Sequence, residues 1–372
     1  MSLLQFDLSK CVRTSNKLSS CDSCATHCVT QTISLDNHLP SYTPNDCIKC
    51  GGCIGVCPTS AFSLDDFDTI NYIFEILEQQ KEVLSCQESI PCLAMMSVEE
   101  LLSLALLYPH KTLLLDKSNC QECEIASFYQ PKIEAMVAEV NFTLQALLVE
   151  KRVVFQEIEH HKKAEEESSR RAFLEKFTLT EAIKARQKFQ NEVDATQEET
   201  IQNKASVADI QKIRNNKDVP KKRKLLLMAL KQTQLPQTLH KVPQEEISFI
   251  SQKQIDPKLC TNCQMCYRIC PTQALSTNAQ YNAIYFDAYK CTKCNSCHDV
   301  CESDAIILQN IFELEQLFHP KKETLVTFNM RRCDECNMPY VFYGDNLLCP
   351  RCSIEEEEAM NLWGIDPTKR SF

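Results

Sequence analysis

Residues 47–58 read CIKCGGCIGVCP: three cysteines separated by two residues each, a fourth after three more, and then proline. Working outward, the same cadence recurs. Aligned on the last cysteine, residues 24–35 (CATHCVTQTISL), 53–64 (CIGVCPTSAFSL), 266–277 (CYRICPTQALST) and 297–308 (CHDVCESDAIIL) form four copies of one unit, each running into a short turn and an apolar, strand-like stretch. The units come in two pairs. The first pair carries Cys11, Cys21, Cys24 and Cys28, then Cys47, Cys50, Cys53 and Cys57; the second carries Cys260, Cys263, Cys266 and Cys270, then Cys291, Cys294, Cys297 and Cys301. The 24 cysteines of the 372-residue chain divide by spacing into six quartets.

A chain of this length buries an ample core and needs no disulfide staples. The start, MSLLQFDLSKC, lacks the basic head, apolar stretch and cleavage site of a secretory signal, which makes the cytoplasm the expected location. The longest nearly apolar run, residues 101–108, is too short to span a bilayer. In a reducing compartment, cysteine quartets read as metal sites rather than bridges. Net charge is −10, unevenly spread: residues 129–258 carry 23 Lys and Arg against 19 Asp and Glu, and the remainder 17 against 31. The cysteine-bearing parts are therefore acidic, which argues against nucleic acid as a partner.

The spacing in residues 47–58 matches bacterial ferredoxin ligation of a [4Fe–4S] cluster, in which three thiolates wrap one cube and the fourth ligates a neighbour. The chain resembles the bacterial-type 2[4Fe–4S] ferredoxin fold twice, in residues 1–64 and 252–310, and so looks like a polyferredoxin. The resemblance implies cross-over ligation: Cys47, Cys50 and Cys53 with Cys28; Cys260, Cys263 and Cys266 with Cys301; Cys291, Cys294 and Cys297 with Cys270. The remaining set, Cys11, Cys21, Cys24 and Cys57, departs from the family pattern, because Cys11 precedes Cys21 by ten positions, and requires a looped-out insertion around residues 14–20. Val29 and Glu302 stand where proline usually follows the fourth cysteine, a loss of stiffness but not of a ligand. Gly51, Gly52 and Gly55 remove side chains where backbone approaches the cube.

The fold class expected is α+β and multidomain: ferredoxin-like modules at 1–64 and 252–310, a βαβ cysteine module at 65–128, a helical insertion at 129–251, and a zinc-ribbon-like hairpin with an acidic tail (355–358) at 311–372. In the βαβ module, strand candidates at 81–86 and 112–115 flank a leucine-rich helix opened by a Ser97/Glu100 capping box. Both strands lead into cysteine pairs, Cys86 with Cys92 and Cys120 with Cys123, so both pairs emerge at one carboxyl edge of the sheet. One joint site is expected, a [4Fe–4S] or [2Fe–2S] cluster or zinc, against the plainer reading of two unrelated pairs of buried thiols. In the insertion, Ile133, Met136, Val137, Val140, Leu144, Leu147 and Leu148 keep a helical period. Thr178 with Glu181 resembles a further helix start, and 190–220 is polar enough to be loose. Cys333, Cys336, Cys349 and Cys352 are paired knuckles around a hairpin turned at Gly344, Asp345 and Asn346. Zinc leads there, with a rubredoxin-like iron as the rival, since Asn337 and Ser353 replace the rubredoxin glycines.

Other signals have plainer readings. His160 and His161 sit in a charged stretch, and His27 and His298 adjoin cysteines either as modulators or as bystanders. The basic run 221–224 before LLLMAL reads as an ordinary helix start with Pro220 at its first position. No phosphate loop, dinucleotide fingerprint or serine nucleophile motif is present. The function expected is single-electron transfer between redox partners, the partner bearing a basic face, as a subunit or accessory carrier of a larger oxidoreductase. The alternatives are an iron–sulfur enzyme reactive at the Cys86/Cys92/Cys120/Cys123 quartet and, behind it, a regulatory sensor.

Overall fold

The computed structural model describes residues 4–158, 172–194 and 217–364, apart from positions 89, 235, 237, 238, 320, 343 and 345. His160, His161, Asp345 and most of the 190–220 stretch lie outside the described residues.

Two modules are built on the same plan. In the first, Leu4–Phe6 pairs antiparallel with Phe62–Leu64, in the register Leu4 to Leu64 and Phe6 to Phe62, and the Phe6 and Phe62 rings stack at 4.9 Å. Inside that closure, Ile33–Ser34 pairs with Ser41–Tyr42. In the second, Lys253–Ile255 pairs with Ile306–Leu308, and Leu275–Thr277 with Ala283–Asp287, to which Lys322–Thr327 adds a third strand. First strand pairs with last and the middle two pair together, so each module's two cysteine units face one another.

The cysteine loops share backbone as well as sequence. The residue three after the last cysteine of each unit, Gln31, Ser60, Gln273 or Asp304, is left-handed in all four. In the last three units so are Lys49, Asn262 and Lys293, two after the first cysteine, and Gly51, Gln264 and Asn295, one after the second. Non-glycine residues adopt this conformation at a cost of about 1–2 kcal/mol each. Its recurrence shows that the loop shape, not local preference, decides the backbone. The first unit, whose leading cysteine is displaced to Cys11, lacks the two earlier left-handed positions.

Between the modules lies a parallel sheet with Thr112–Asp116 at its centre, flanked by Val83–Leu84 and Arg152–Gln156. The third strand falls in the segment expected to be all helix. RVVFQ is β-branched and aromatic, and pairing buries Val153 beside the leucines of the central strand. The helices Val98–Leu107 and Ala126–Ala146 are the crossovers. Ser97 and Glu100 form the anticipated capping box, with the Ser97 N–H donating to Glu100 Oε2 at 2.8 Å and the Glu100 N–H to Ser97 Oγ at 3.3 Å. Ile133, Val137, Val140, Leu144 and Leu147 are buried, Met136 is half-buried and Leu148 is exposed. Thr178 does not begin a helix: it is interior to Ala172–Asp194, which packs Phe189 on Phe74 and Arg186 on Glu78.

Pro220 is the N-cap of Lys221–Gln232, one position before the one expected. The helix start is packed, as expected, and the packing reaches the basic run itself, since Lys222 and Arg223 are buried. Met330–Arg332 and Pro339–Val341 form a hairpin whose turn is 333–338, holding Cys333 and Cys336, and not the expected 344–346; residues 355–358 lie within the helix Pro350–Trp363 rather than in a free tail. Among the described residues no helix is long and apolar enough to cross a membrane.

Candidate metal centres

Burial and mutual repulsion sort the thiols into sets. Cys24 is pushed up to about 12 by burial and then by Cys57, Cys11 and Cys21; Cys11 reaches about 12 through burial, Cys57 and Cys21. Cys53 is raised by burial and by Cys50, Cys47, Cys24 and Cys28. In the second module Cys266 rises to about 12 through burial, Cys260, Cys263 and Cys301, and Cys294 rises through burial, Cys270, Cys291 and Cys297. Cys11, Cys24, Cys266 and Cys294 each have neighbours from one of the expected groups, and Cys53 has neighbours from two, since Cys24 also lies beside it. Thiolates this close and this buried would be unfavourable bare, and a cationic centre bound by them would supply the missing charge.

The residues 14–20 that separate Cys11 from Cys21 do more than loop out. Asn16 Nδ2 donates to the Ser296 carbonyl at 3.3 Å, the Ser20 N–H to Asp299 Oδ2 at 3.1 Å and Ser20 Oγ to Asp299 Oδ1 at 2.8 Å. The insertion thereby seats the Cys11, Cys21, Cys24 and Cys57 set, the inner quartet of module one, against the 291–301 loop of module two, whose Cys291, Cys294 and Cys297 form the inner quartet there with Cys270 on the expected pairing. A cavity of about 560 Å³ at this junction is lined by Cys21 and Cys294 together with His27, Tyr129, Lys132 and Glu139.

Each unit carries a further group that its spacing alone did not reveal: a hydroxyl two residues after the last cysteine. Thr30 Oγ1 lies 3.6 Å from Cys28 Sγ, Thr59 3.8 Å from Cys57, Thr272 3.8 Å from Cys270 and Ser303 3.9 Å from Cys301. The signal was legible as CVT, CPT, CPT and CES. Toward a ligating thiolate such a hydroxyl can only donate. At Cys28, burial is outweighed by Thr32, 3.3 Å away, and Thr30, and the thiol is held below its ordinary value. The Ala61 N–H adds a donor to Cys57 Sγ at 3.2 Å, and Ser251 Oγ lies 3.2 Å from Cys291 Sγ.

Tyr129 was missed as well. Its hydroxyl sits 3.1 Å from Cys50 Sγ and 2.7 Å from the His27 carbonyl. A Cβ on Gly52 would stand 2.3 Å from that hydroxyl, and one on Gly55 2.6 Å from the Ala94 carbonyl, so these glycines are what allow the 126–146 helix and the loop after Cys92 to close on the cysteine loop. The histidine rings bond elsewhere: His27 Nδ1 to the Ser23 carbonyl at 3.0 Å, and His298 Nε2 to Lys253 Nζ at 2.7 Å. Burial and the Lys253 ammonium push His298 down to about 4.

The fifth quartet gathers at the carboxyl edge of the parallel sheet. Cys92 is raised to about 11 by burial, against the Ala94 N–H, and then by Cys50, Cys86 and Cys120; Cys120 is raised by burial, Cys86, Cys123 and Asp116, with Lys117 opposing. Cys92 thus links this quartet to Cys50 of the first module.

The sixth quartet is tighter. Among the described residues, Cys333, Cys336, Cys349 and Cys352 are the only group whose ligand atoms all lie within 4.8 Å of one another. Cys336 and Cys349 Sγ are 3.7 Å apart, close to the ~3.8 Å edge of a tetrahedron with metal–sulfur bonds of about 2.3 Å. Burial would raise Cys333, but N–H groups of Cys336, Cys349 and Glu335 prevail and bring it down to about 6, the Cys349 N–H at 3.2 Å. This set fits a single ion.

Residues 259–306 match the model of the 4Fe-4S dicluster domain, and residues 40–63 that of the 4Fe-4S binding domain. The first match spans both quartet-forming units of module two, and the second covers the 47–57 unit of module one. No curated protein matches the chain. The chain therefore carries two ferredoxin-type [4Fe–4S]-binding regions together with a metal-binding cysteine quartet.

Proposed function

We propose that the protein is a multi-cluster electron-transfer chain in which five quartets hold iron–sulfur clusters in one line, while the sixth holds a structural zinc. Bound clusters supply reversible one-electron chemistry. The observation that carries the reading is the unbroken succession of thiol neighbourhoods. Cys92 of the fifth quartet adjoins Cys50; Cys53 adjoins Cys24; Ser20 and Asn16 lock the Cys11/Cys21/Cys24/Cys57 set onto the 291–301 loop; and Cys297 is raised in part by Cys266. The line runs from the fifth quartet through both modules to Cys263, which among the sixteen ferredoxin-type cysteines is the exposed one.

The fifth quartet is assigned a cluster rather than zinc because no three of its thiols approach within 4.8 Å, unlike the sixth. The acidic balance of the cysteine-bearing parts, 17 cations against 31 anions outside residues 129–258, favours docking of a basic redox partner. The chain is then a carrier or subunit of a larger oxidoreductase in a reducing compartment, with the substrate chemistry in another chain. Cys92→Ser tests the order: iron is expected to fall by about four per chain, with electron transfer between the two ferredoxin modules retained. Loss of transfer between the modules would place the fifth quartet between them instead of at an end.

A further inference from the structure

Among the described residues, three cations are buried: Lys222, Arg223 and Lys253. All three stand at the two inner quartets. Lys222 Nζ donates to the carbonyl of Cys57 at 2.6 Å. Arg223 Nη1 donates to the carbonyl of Cys291 at 3.1 Å and to that of Tyr289 at 2.6 Å, and Nη2 to Phe249 at 2.6 Å. Lys253 lies close enough to Cys297 to oppose the burial that lifts that thiol to about 12. One carboxylate, Glu99, serves the first two: it bonds Arg223 Nε and lies 3.9 Å from Lys222 Nζ. The Lys222–Arg223–Glu99 group keeps a formal charge of +1 between the modules.

We propose, on the electron-transfer reading above, that Lys222, Arg223 and Lys253 hold the two inner quartets at higher reduction potential than the outer ones, so that the middle of the line is a reservoir for two electrons. Reducing a cluster adds one negative charge at the quartet. A buried cation stabilises that charge with little screening, because water and salt do not reach it. Partly exposed groups at the junction carry both signs, Arg13 on the Cys21 carbonyl and Lys293 near Cys291 against Asp299 and Glu139, so the buried cations set the bias. Among the described residues no further Lys or Arg is buried, so the buried cations are gathered at the inner sets, while the largest influences on Cys53 and Cys266 are burial and other cysteines. The fifth quartet faces a buried anion, Asp116, with Lys117 offsetting it in part. The line then slopes toward its centre from both ends, and each inner quartet accepts one electron before either is delivered.

Lys222 and Glu99 act as positioning residues with opposite signs, which separates electrostatics from damage to the fold. The full chain, purified anaerobically, is titrated with dithionite while each cluster signal is followed by electron paramagnetic resonance; Cys21→Ser and Cys294→Ser assign the inner pair. In the unmodified chain the inner signals are expected to appear first. Lys222→Met should shift the module-one inner signal to lower potential, and Glu99→Gln should shift both inner signals upward, with the outer signals unmoved. Inner signals that appear last, or two variants that shift the inner signals in the same direction or not at all at unchanged iron content, overturn the proposal. A chain that binds no iron overturns the electron-transfer reading as well, and iron analysis before titration identifies that case.

Discussion

Replacing Arg223 with methionine is expected to destabilise the native chain by about 3–5 kcal/mol, the cost of breaking a buried ion pair by removing one partner. The guanidinium is fully buried; it pairs with Glu99 and donates to three carbonyls from two segments, 249 and 289–291. Without it, Glu99 remains buried with Lys222 as its cation at 3.9 Å, and the carbonyls of Tyr289, Cys291 and Phe249 each lose a donor. Denaturant midpoints measured anaerobically at equal iron content check this. Adding Glu99→Leu to the same chain should recover part of the loss, because the orphaned carboxylate is then gone. An unchanged midpoint in the single variant would mean that the group does not hold the halves together.

Removing the metal from the C-terminal quartet should melt residues 330–363 and leave the remainder folded. Among the described residues of this segment the buried ones are Cys333, Cys349 and Cys352, with Tyr340 and Leu348 packed against them, and they form a cluster separate from the main core. So small an apolar centre cannot offset the chain entropy of the segment it orders. Structural zinc supplies roughly 10–16 kcal/mol of apparent binding energy in small zinc modules, which is folding energy there. Treatment with a zinc chelator, followed by limited proteolysis, should cut within 330–363 while the ferredoxin modules resist. The same opening is expected as pH falls, because protons compete with metal for the thiolates. Resistance of the hairpin after complete zinc removal would show that its fold does not depend on the ion.

What the sequence displayed plainly was local. The spacings within each of the runs 47–57, 260–270 and 291–301 lie within a dozen residues and led to the repeat, and the capping box needs only Ser97 and Glu100, three positions apart. The hydroxyls Thr30, Thr59, Thr272 and Ser303 are equally local, but a Ser or Thr in a polar turn carries no spacing signal of its own. The contacts that join the parts were not legible. Arg223 meets Glu99 across 124 positions, and Ser20 meets Asp299 across 279, so neither partner is implied by its neighbours in the chain. A run of Lys-Lys-Arg-Lys ordinarily marks a solvated face; here two of the four are buried because carbonyls from cysteine loops converge on them. Arg152–Gln156 was absorbed into a helical segment because five residues are too few to show a period against the long helices on either side.

Metal analysis of the full chain purified without oxygen tests the central claim most directly. About 20 iron, a matching amount of acid-labile sulfide and about one zinc per chain are expected, for five four-iron clusters and one structural ion. About 16 iron with about two zinc would put zinc in the fifth quartet and remove it from the line. Zinc in the ferredoxin modules with little iron would contradict electron transfer altogether.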